Sequence, residues 1–180
     1  MSKEVVIHGR AFESFLSEEA IRRRIGEMAA MIADDYAERL PLFLPILNGS
    51  FVFAADLLRA YPAECELAFV KLSSYRGMRS SGRVETLIGL DLDLSGKDIV
   101  IVEDIVDSGR TLSDFLPVLQ TARPASVAIA SLLVKPDALE FPLEIAYRGF
   151  EIPTRFVVGY GLDYDGLGRN LPEIYQLKER

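Results

Sequence analysis

The sequence predicts an α/β fold with a mainly parallel central sheet flanked by helices. Apolar segments of strand length alternate along the chain with segments in which apolar residues recur at helical spacing. Strands that alternate with helices form mainly parallel sheets. Residues 99–102 form a continuous apolar run, as expected for a central parallel strand that is covered on both faces.

The first helix is predicted to begin after Ser17. Serine is a favoured residue at helix amino termini, and Glu18 and Glu19 place negative charge in the first turn, where the helix dipole favours it. Apolar residues then recur at the spacing of one helix face, at Ile21, Ile25, Met28, Ala29 and Ile32.

The remaining elements are predicted from apolar runs and from the residues that end them. The strands are expected at residues 42–47, 67–73, 99–102, 127–134 and 156–158, and the helices at residues 51–60 and 111–121. Residues 74–82 are polar and glycine-rich, and a loop of this length is usually either a functional lid or disordered.

Length and charge limit the possible functions. The chain has 180 residues, which predicts one domain spanning residues 1–180. No apolar run reaches the roughly 18 residues that cross a membrane, and the start lacks the apolar core of a signal peptide, so we expect a cytoplasmic protein. A net charge of −7 argues against nucleic-acid or membrane binding, which requires basic surfaces.

The chain contains one cysteine, Cys65, and one histidine, His8. An intrachain disulfide is therefore impossible, and a zinc site or Ser–His catalysis is disfavoured. Any bound metal is expected to be a hard ion with oxygen ligands, such as Mg²⁺.

Two adjacent carboxylates, Glu103 and Asp104, follow the apolar strand at residues 99–102. Ligands of open α/β sheets bind beyond the carboxyl ends of the strands, which is where this pair is expected. Burying two carboxylates without partners is costly, so they need hydroxyl groups, a metal ion or solvent. Ribose hydroxyls beside Mg²⁺ would meet that need.

Next come Asp107, Ser108, Gly109, Arg110 and Thr111, which lead into a predicted helix. Glycine permits a tight turn, and the backbone N–H groups and the two hydroxyls can point at one ligand. The dipole of the following helix favours an anion at the same place. The segment therefore predicts a cradle for a phosphate monoester.

The whole segment from residue 99 to residue 112 resembles the fingerprint of the type I phosphoribosyltransferases. More narrowly, the chain resembles the hypoxanthine-guanine phosphoribosyltransferases of purine salvage over nearly its whole length. The resemblance implies a small hood, formed by the N- and C-terminal segments, above the central sheet. It also implies a homodimer or a homotetramer.

Two further segments carry the resemblance in the first half of the chain. Asn48 and Gly49 match the loop that faces the diphosphate, although the family often has lysine where this chain has Asn48. The family also often has a cis peptide bond at the position of Leu47 and Asn48. Ser74 and Tyr75 match the catalytic contacts of a mobile loop that closes over the reacting centre.

The second half of the chain matches the family's base-binding residues. Lys135 corresponds to a lysine that hydrogen-bonds the 6-oxo group of the purine. Phe156 corresponds to the aromatic residue that stacks on the base, and Val157 to the residue whose backbone reads the base edge. Asp163 matches a ligand of a second Mg²⁺, and Arg169 matches a basic residue facing the diphosphate.

The resemblance implies transfer of a 5-phosphoribosyl group from 5-phosphoribosyl 1-diphosphate to a 6-oxopurine, with release of diphosphate. Asp107 matches the general base near N7 of the purine, and Ile105 is placed to pack against the base opposite Phe156. Glu103 and Asp104 would hold the ribose hydroxyls and Mg²⁺. Two alternatives remain: a transferase for xanthine or a pyrimidine, and an RNA-binding regulator of the same fold that senses phosphoribosyl diphosphate.

Overall fold

The structure is a computed structural model that describes residues 3–74, 84–88 and 93–178. Its three α-helices are α1 (Glu18–Asp35), α2 (Phe51–Ala60) and α3 (Arg110–Thr121). Its strands are β1 (Glu4–Ile7), β2 (Arg10–Leu16), β3 (Pro41–Leu47), β4 (Glu66–Leu67), β5 (Val70–Ser74), β6 (Val84–Ile88), β7 (Asp98–Val106), β8 (Ser126–Val134), β9 (Tyr147–Glu151), β10 (Val157–Val158) and β11 (Ile174–Leu177).

The central sheet has the strand order β6-β5-β3-β7-β8-β9, with β4 paired to β3. Every described pairing in it is parallel except the one between β5 and β6. Alternate residues of β7 enter two separate cores: Val100 and Val102 pack with α1 and α2, whereas Ile99 and Ile101 pack with α3. The predicted α/β fold, with helices on both faces of a mainly parallel sheet, is confirmed.

The first predicted helix is confirmed, together with its cap. The Ser17 hydroxyl accepts a hydrogen bond from the Ala20 N–H at 3.2 Å, as expected for a residue that precedes a helix. All five apolar residues predicted on one face of α1 are buried. The predicted bounds of α2 are also those observed, and α3 begins one residue earlier than predicted.

A second sheet forms the hood. Its order is β1-β2-β11-β10, and all of its pairings are antiparallel. It joins the first residues of the described chain to the last, as the predicted hood requires. The strand predicted at residues 156–158 is shorter than expected and pairs with β11, so it belongs to the hood and not to the central sheet.

Two predicted strands of the central sheet have different bounds. The strand predicted at residues 67–73 is divided into β4 and β5, which are separated by Ala68 and Phe69. The Ala68 N–H still donates to Phe43 O at 3.1 Å, so the chain stays beside β3 across the break. Strand β7 continues to Val106, beyond the predicted end at residue 102. Its pairing with β3 stops at Val102, and from there it pairs only with β8. Glu103 and Asp104 therefore lie where one edge of β7 is open.

No helix of the described residues is long and apolar enough to cross a membrane.

Candidate active site

Two adjoining cavities lie at the carboxyl end of β7, and both are lined by Ile105 and Asp107. The larger, of about 280 Å³, is lined by Gly49, Asp104, Ile105, Asp107, Lys135, Phe156, Val157, Leu162, Asp163 and Arg169. The smaller, of about 90 Å³, is lined by Glu103, Ile105, Val106, Asp107, Ser108, Gly109, Arg110, Thr111 and Leu112. The structure therefore brings together most of the site residues inferred from the sequence, in two compartments that meet at Asp107.

The smaller cavity is built by the turn from β7 into α3. Gly109 is the residue before the helix and has φ +80°, a conformation that glycine adopts without steric cost. A Cβ atom at this position would lie 2.7 Å from Leu143 Cδ1, so that side chain would have to move if the glycine were replaced. The Arg110 N–H points to the Ser108 hydroxyl at 3.3 Å. The amino terminus of the twelve-residue α3 therefore opens onto the cavity, an arrangement that favours an anion.

The two adjacent acids face different compartments. Glu103 lines the smaller cavity and Asp104 the larger, as expected for neighbouring residues of a strand. Glu103 is buried, and its Oε2 atom has no hydrogen-bond partner among the described residues. Burial, followed by the charge of Asp104, raises the pKa of Glu103 well above its ordinary value. An oxygen atom buried in this way needs a ligand, which supports a polar occupant for the site.

Asp104 lies against the backbone of the loop that follows β3. A Cβ atom built on Gly49 would be only 1.7 Å from Asp104 Oδ2. The peptide bond before this loop, between Leu47 and Asn48, is cis, as the resemblance implied. Residue 49 must therefore lack a side chain if the Asp104 carboxylate is to keep its place.

Gly49→Ala is expected to displace the Asp104 carboxylate and to lower kcat/KM for the phosphoribosyl donor by about tenfold or more, because an ångström of misplacement at a reacting centre is costly. Steady-state kinetics would measure the change. Gly26→Ala is the matched control, since nothing lies within 4 Å of a Cβ there and alanine is the better helix former within α1. Unaltered kinetics in Gly49→Ala would show that the position of Asp104 does not matter.

Burial raises the pKa of Asp104 from 3.8 to about 6, although the Ile105 N–H donates to its Oδ1 at 3.0 Å and opposes that shift. The folded protein therefore holds this proton more tightly than the unfolded chain does. The cost of ionising Asp104 is small below pH 4, grows as the pH rises, and is complete once the pH exceeds about 6.

Asp104→Asn should consequently gain stability relative to the parent as the pH rises. The difference in unfolding free energy is expected to shift by about 2 kcal/mol between pH 4 and pH 7. Urea unfolding of both proteins at the two pH values would measure it. A difference that does not change with pH would contradict the raised pKa of Asp104.

Lys135 and Asp107 form an ion pair at the junction of the cavities. Lys135 Nζ lies 2.6 Å from Asp107 Oδ2. The lysine side chain is only 8% exposed, whereas the aspartate side chain is 56% exposed. The pair thus places a buried donor and an accessible acceptor side by side. The resemblance implied a role at the base for both residues, but nothing in the sequence predicted their contact.

The hood side of the larger cavity presents one aromatic ring, Phe156. Phe156 is 44% exposed. Tyr164 packs edge-to-face against it with centroids 5.5 Å apart, and Phe12 lies behind at 6.3 Å. The ring is therefore supported on one side and open to the cavity, where a flat apolar ligand could stack on it.

Asp163 and Arg169 lie on the same wall of the larger cavity. Arg169 Nη2 is 2.7 Å from Asp163 Oδ1, and the Gly166 N–H donates to Asp163 Oδ2 at 2.7 Å. Arg169 Nη1 also donates to Gly161 O at 2.6 Å. Both carboxylate oxygens of Asp163 therefore already have protein partners, which its inferred role as a metal ligand did not anticipate.

Asn48 and Ser74 are the two remaining inferred site residues that the structure describes. Asn48 is exposed and lines neither cavity. Ser74 is the last residue of β5, and Tyr75 lies outside the described residues. Conversely, Val106, Leu112 and Leu162 line the cavities without having been singled out, because apolar residues carry no chemical signal that separates a wall from a core.

Within the described ranges 3–74, 84–88 and 93–178, no group of three or more His, Cys, Asp or Glu side chains could hold a metal ion. A cation at Glu103 and Asp104 would therefore need further oxygen ligands from the substrate or from water.

Comparisons with known proteins agree with this geometry. The family model described as a phosphoribosyl transferase domain matches residues 12–165. The chain is 44% identical to the hypoxanthine-guanine phosphoribosyltransferase of Mycobacterium avium, over 92% of this chain and 85% of that protein. It is 37% identical to the enzyme of that name from Aquifex aeolicus, over 96% and 98% of the two chains. A crystal structure of a hypoxanthine phosphoribosyltransferase from Staphylococcus aureus superposes with a TM-score of 0.87 at 38% identity, covering 92% of this chain and 91% of that one.

The chain belongs to the phosphoribosyltransferase family. The relatives that it matches over most of its length are hypoxanthine-guanine phosphoribosyltransferases. The resemblance inferred from the sequence motifs is thereby confirmed.

Proposed function

We propose that this protein transfers the 5-phosphoribosyl group from 5-phosphoribosyl 1-diphosphate to hypoxanthine or guanine, in purine salvage, giving the nucleoside 5-monophosphate and diphosphate. The observation that carries the proposal is the pair of cavities that meet at Asp107. One has the chemistry of a phosphate site, and the other combines an open aromatic face with a buried lysine. A nucleotide has these two ends.

The phosphate end would occupy the smaller cavity. Backbone N–H groups of residues 108–111, the hydroxyls of Ser108 and Thr111, and the amino terminus of α3 would hold the 5-phosphate. Arg110 is exposed and pairs with Asp114 at 3.8 Å, so positive charge adds little within the cradle. This binding mode suits a protein with a net charge of −7.

The base would occupy the larger cavity between Phe156 and Ile105. Lys135 has no acceptor function, so its ammonium group would donate to the 6-oxo oxygen of the purine. Asp107 would accept the proton that leaves N7 as the new bond to carbon 1 of the ribose forms. The backbone of Val157 would contact the edge of the base.

Glu103 and Asp104 would hold one Mg²⁺, and Asp163 would be a ligand of a second Mg²⁺. The fit rests on their chemistry: all three side chains are carboxylates, Glu103 Oε2 lacks a partner among the described residues, and hard divalent cations prefer oxygen. The ions would supply positive charge that stabilises the departing diphosphate. Asp163 would first have to exchange its contact with Arg169, which could then face the diphosphate.

The remaining assignments concern the diphosphate and the lid. Gly49, with Asn48 beside it, would present backbone amides to the diphosphate together with Arg169. Ser74 and Tyr75 would close over the reacting centre and exclude water, which otherwise hydrolyses an activated sugar.

We further propose a single domain at residues 1–180, a cytoplasmic location, and assembly as a homodimer or a homotetramer. Light scattering would measure the oligomeric state.

Steady-state assays with 5-phosphoribosyl 1-diphosphate, Mg²⁺ and each of hypoxanthine, guanine, xanthine and adenine would test the function. We expect turnover with hypoxanthine or guanine and a much lower kcat/KM with adenine, because a 6-amino group offers Lys135 a donor instead of an acceptor. Uracil, assayed in parallel, represents the pyrimidines. A preference for xanthine or for uracil would redefine the substrate. Inactivity with every base would overturn the proposal and favour a regulator that only binds phosphoribosyl diphosphate.

A further inference from the structure

Tyr160 is the centre of an unusual turn behind the larger cavity. Residues 159–161 all have positive φ angles: +104° for Gly159, +52° for Tyr160 and +98° for Gly161. A tyrosine rarely adopts this conformation, so the surroundings must hold it there. The ring is only 4% exposed and packs with residues of α1 and α2.

Among the described residues, the hydroxyl of Tyr160 has one hydrogen-bond partner, Asp56 on α2. It donates to Asp56 Oδ2 at 2.5 Å across 104 residues of chain. Burial, and then this hydrogen bond, raises the pKa of Tyr160 far above its ordinary range, so the group remains a donor at every working pH. Neither residue lines the cavities, and the proposed reaction gives neither of them a role.

The turn is in direct contact with the diphosphate side of the site. A Cβ atom on Gly161 would lie 2.2 Å from Gly49 O, so the two backbones touch. Gly161 O accepts from Arg169 Nη1 at 2.6 Å, and the Gly161 N–H donates to Arg169 O at 3.0 Å. Arg169 in turn holds Asp163.

The loop at residues 48–49 leads directly into α2, which carries Asp56. The Tyr160–Asp56 hydrogen bond therefore connects the turn at residues 159–161, here called the hood turn, to the helix that follows the loop. With the turn fixed to α2, the spacing between Gly49 and the Arg169–Asp163 pair is also fixed. Without that bond, the ring would stay in the core but the turn could shift away from the loop.

We propose that Tyr160 and Asp56 are positioning residues for diphosphate recognition: their hydrogen bond holds the hood turn on the loop after β3, so that Gly49, Asp163 and Arg169 converge on one ligand. The proposal rests on the proposed function for the identity of that ligand. It assigns no contact with substrate to either residue.

Tyr160→Phe tests this directly, because it removes one hydroxyl and leaves the ring in place. We expect KM for 5-phosphoribosyl 1-diphosphate to rise about 5- to 10-fold, with kcat and the KM for the base within about twofold of the parent. This is less than the direct loss of one hydrogen bond to a charged group, because neither residue touches the ligand. Calorimetry with inorganic diphosphate and Mg²⁺ should show a similar loss of affinity. Asp56→Asn keeps an acceptor for the Tyr160 hydroxyl, so its KM and its diphosphate affinity should stay close to those of the parent.

Tyr147→Phe is the matched control. Tyr147 is also 4% exposed and donates to a helix carboxylate, Asp35 Oδ2, at 2.8 Å, but this pair joins β9 to α1 and not the turn at residues 159–161 to α2. It should lower Tm without changing KM. In a double-mutant cycle, Tyr160→Phe should add no further increase in KM to Asp56→Ala.

The proposal is overturned if Tyr160→Phe lowers Tm but leaves KM and diphosphate affinity unchanged, or if its effect adds fully to that of Asp56→Ala. These outcomes are separable from a failure of the proposed function. If the proposed function is wrong, the parent protein itself is inactive. If only the positioning role is wrong, the parent is active and Tyr160→Phe has the same kinetics.

Discussion

Asp107→Asn is expected to lower kcat by about 10²- to 10³-fold, because a positioned general base typically contributes a factor of this order. Asparagine has nearly the same shape but cannot take a proton from N7 of the purine. The residue lies where both cavities meet, so the same side chain can reach the base and the sugar. Binding of the product nucleotide, measured by calorimetry, should change little.

The appropriate control for this variant is Asp137→Asn. Asp137 is an exposed acid two residues after Lys135 and lines neither cavity, so its neutralisation should leave turnover unchanged. It corrects for a general change in charge near the site. Equal turnover in Asp107→Asn and the parent would remove Asp107 from the proposed proton transfer.

Lys135→Met should have the second large effect. We expect kcat/KM for hypoxanthine and guanine to fall about 10- to 100-fold, as the loss of a hydrogen bond from a charged donor implies. The KM for 5-phosphoribosyl 1-diphosphate should stay within about twofold. The separation is expected because Lys135 pairs with Asp107, does not line the smaller cavity that would hold the 5-phosphate, and is assigned no contact with the diphosphate.

Lys97→Met controls for the loss of an ion-paired lysine. Lys97 pairs with Glu66 and lines neither cavity, so its removal should leave the kinetics intact. If Lys135→Met weakens the use of the base and of the diphosphate sugar to the same extent, Lys135 does not read the base.

The two variants are also expected to differ in stability, and Asp107→Asn should be the less stable. Asp107→Asn leaves the buried ammonium group of Lys135 without a charged partner, which is costly in a poorly solvated position. Lys135→Met leaves Asp107, whose side chain is 56% exposed, to be solvated by water. Asp107→Asn should therefore show the lower Tm of the two.

Local features of this protein were predictable from the sequence. The cap and apolar face of α1 lie within one short stretch, and so do the acids, glycine and hydroxyls of the cradle at residues 103–111. In these cases neighbours along the chain supply both the conformation and the chemistry. The ends of β7 were less predictable, because its extension to Val106 depends on pairing with β8.

Contacts between distant segments were not predictable from the patterns alone. The Lys135–Asp107 pair spans 28 residues, and the Tyr160–Asp56 bond spans 104. Each depends on the way that separate strands and helices come together at the carboxyl end of the sheet. The place of β10 in the hood has the same origin, since its partner β11 comes from the end of the described chain.

A co-crystal structure with GMP would test the central claim most directly, namely that the two cavities form one nucleotide site. We expect the 5-phosphate on the N–H groups of residues 108–111, the base stacked on Phe156, and its 6-oxo oxygen within hydrogen-bond distance of Lys135 Nζ. A nucleotide bound elsewhere, or bound with its base outside the larger cavity, would contradict a single nucleotide site.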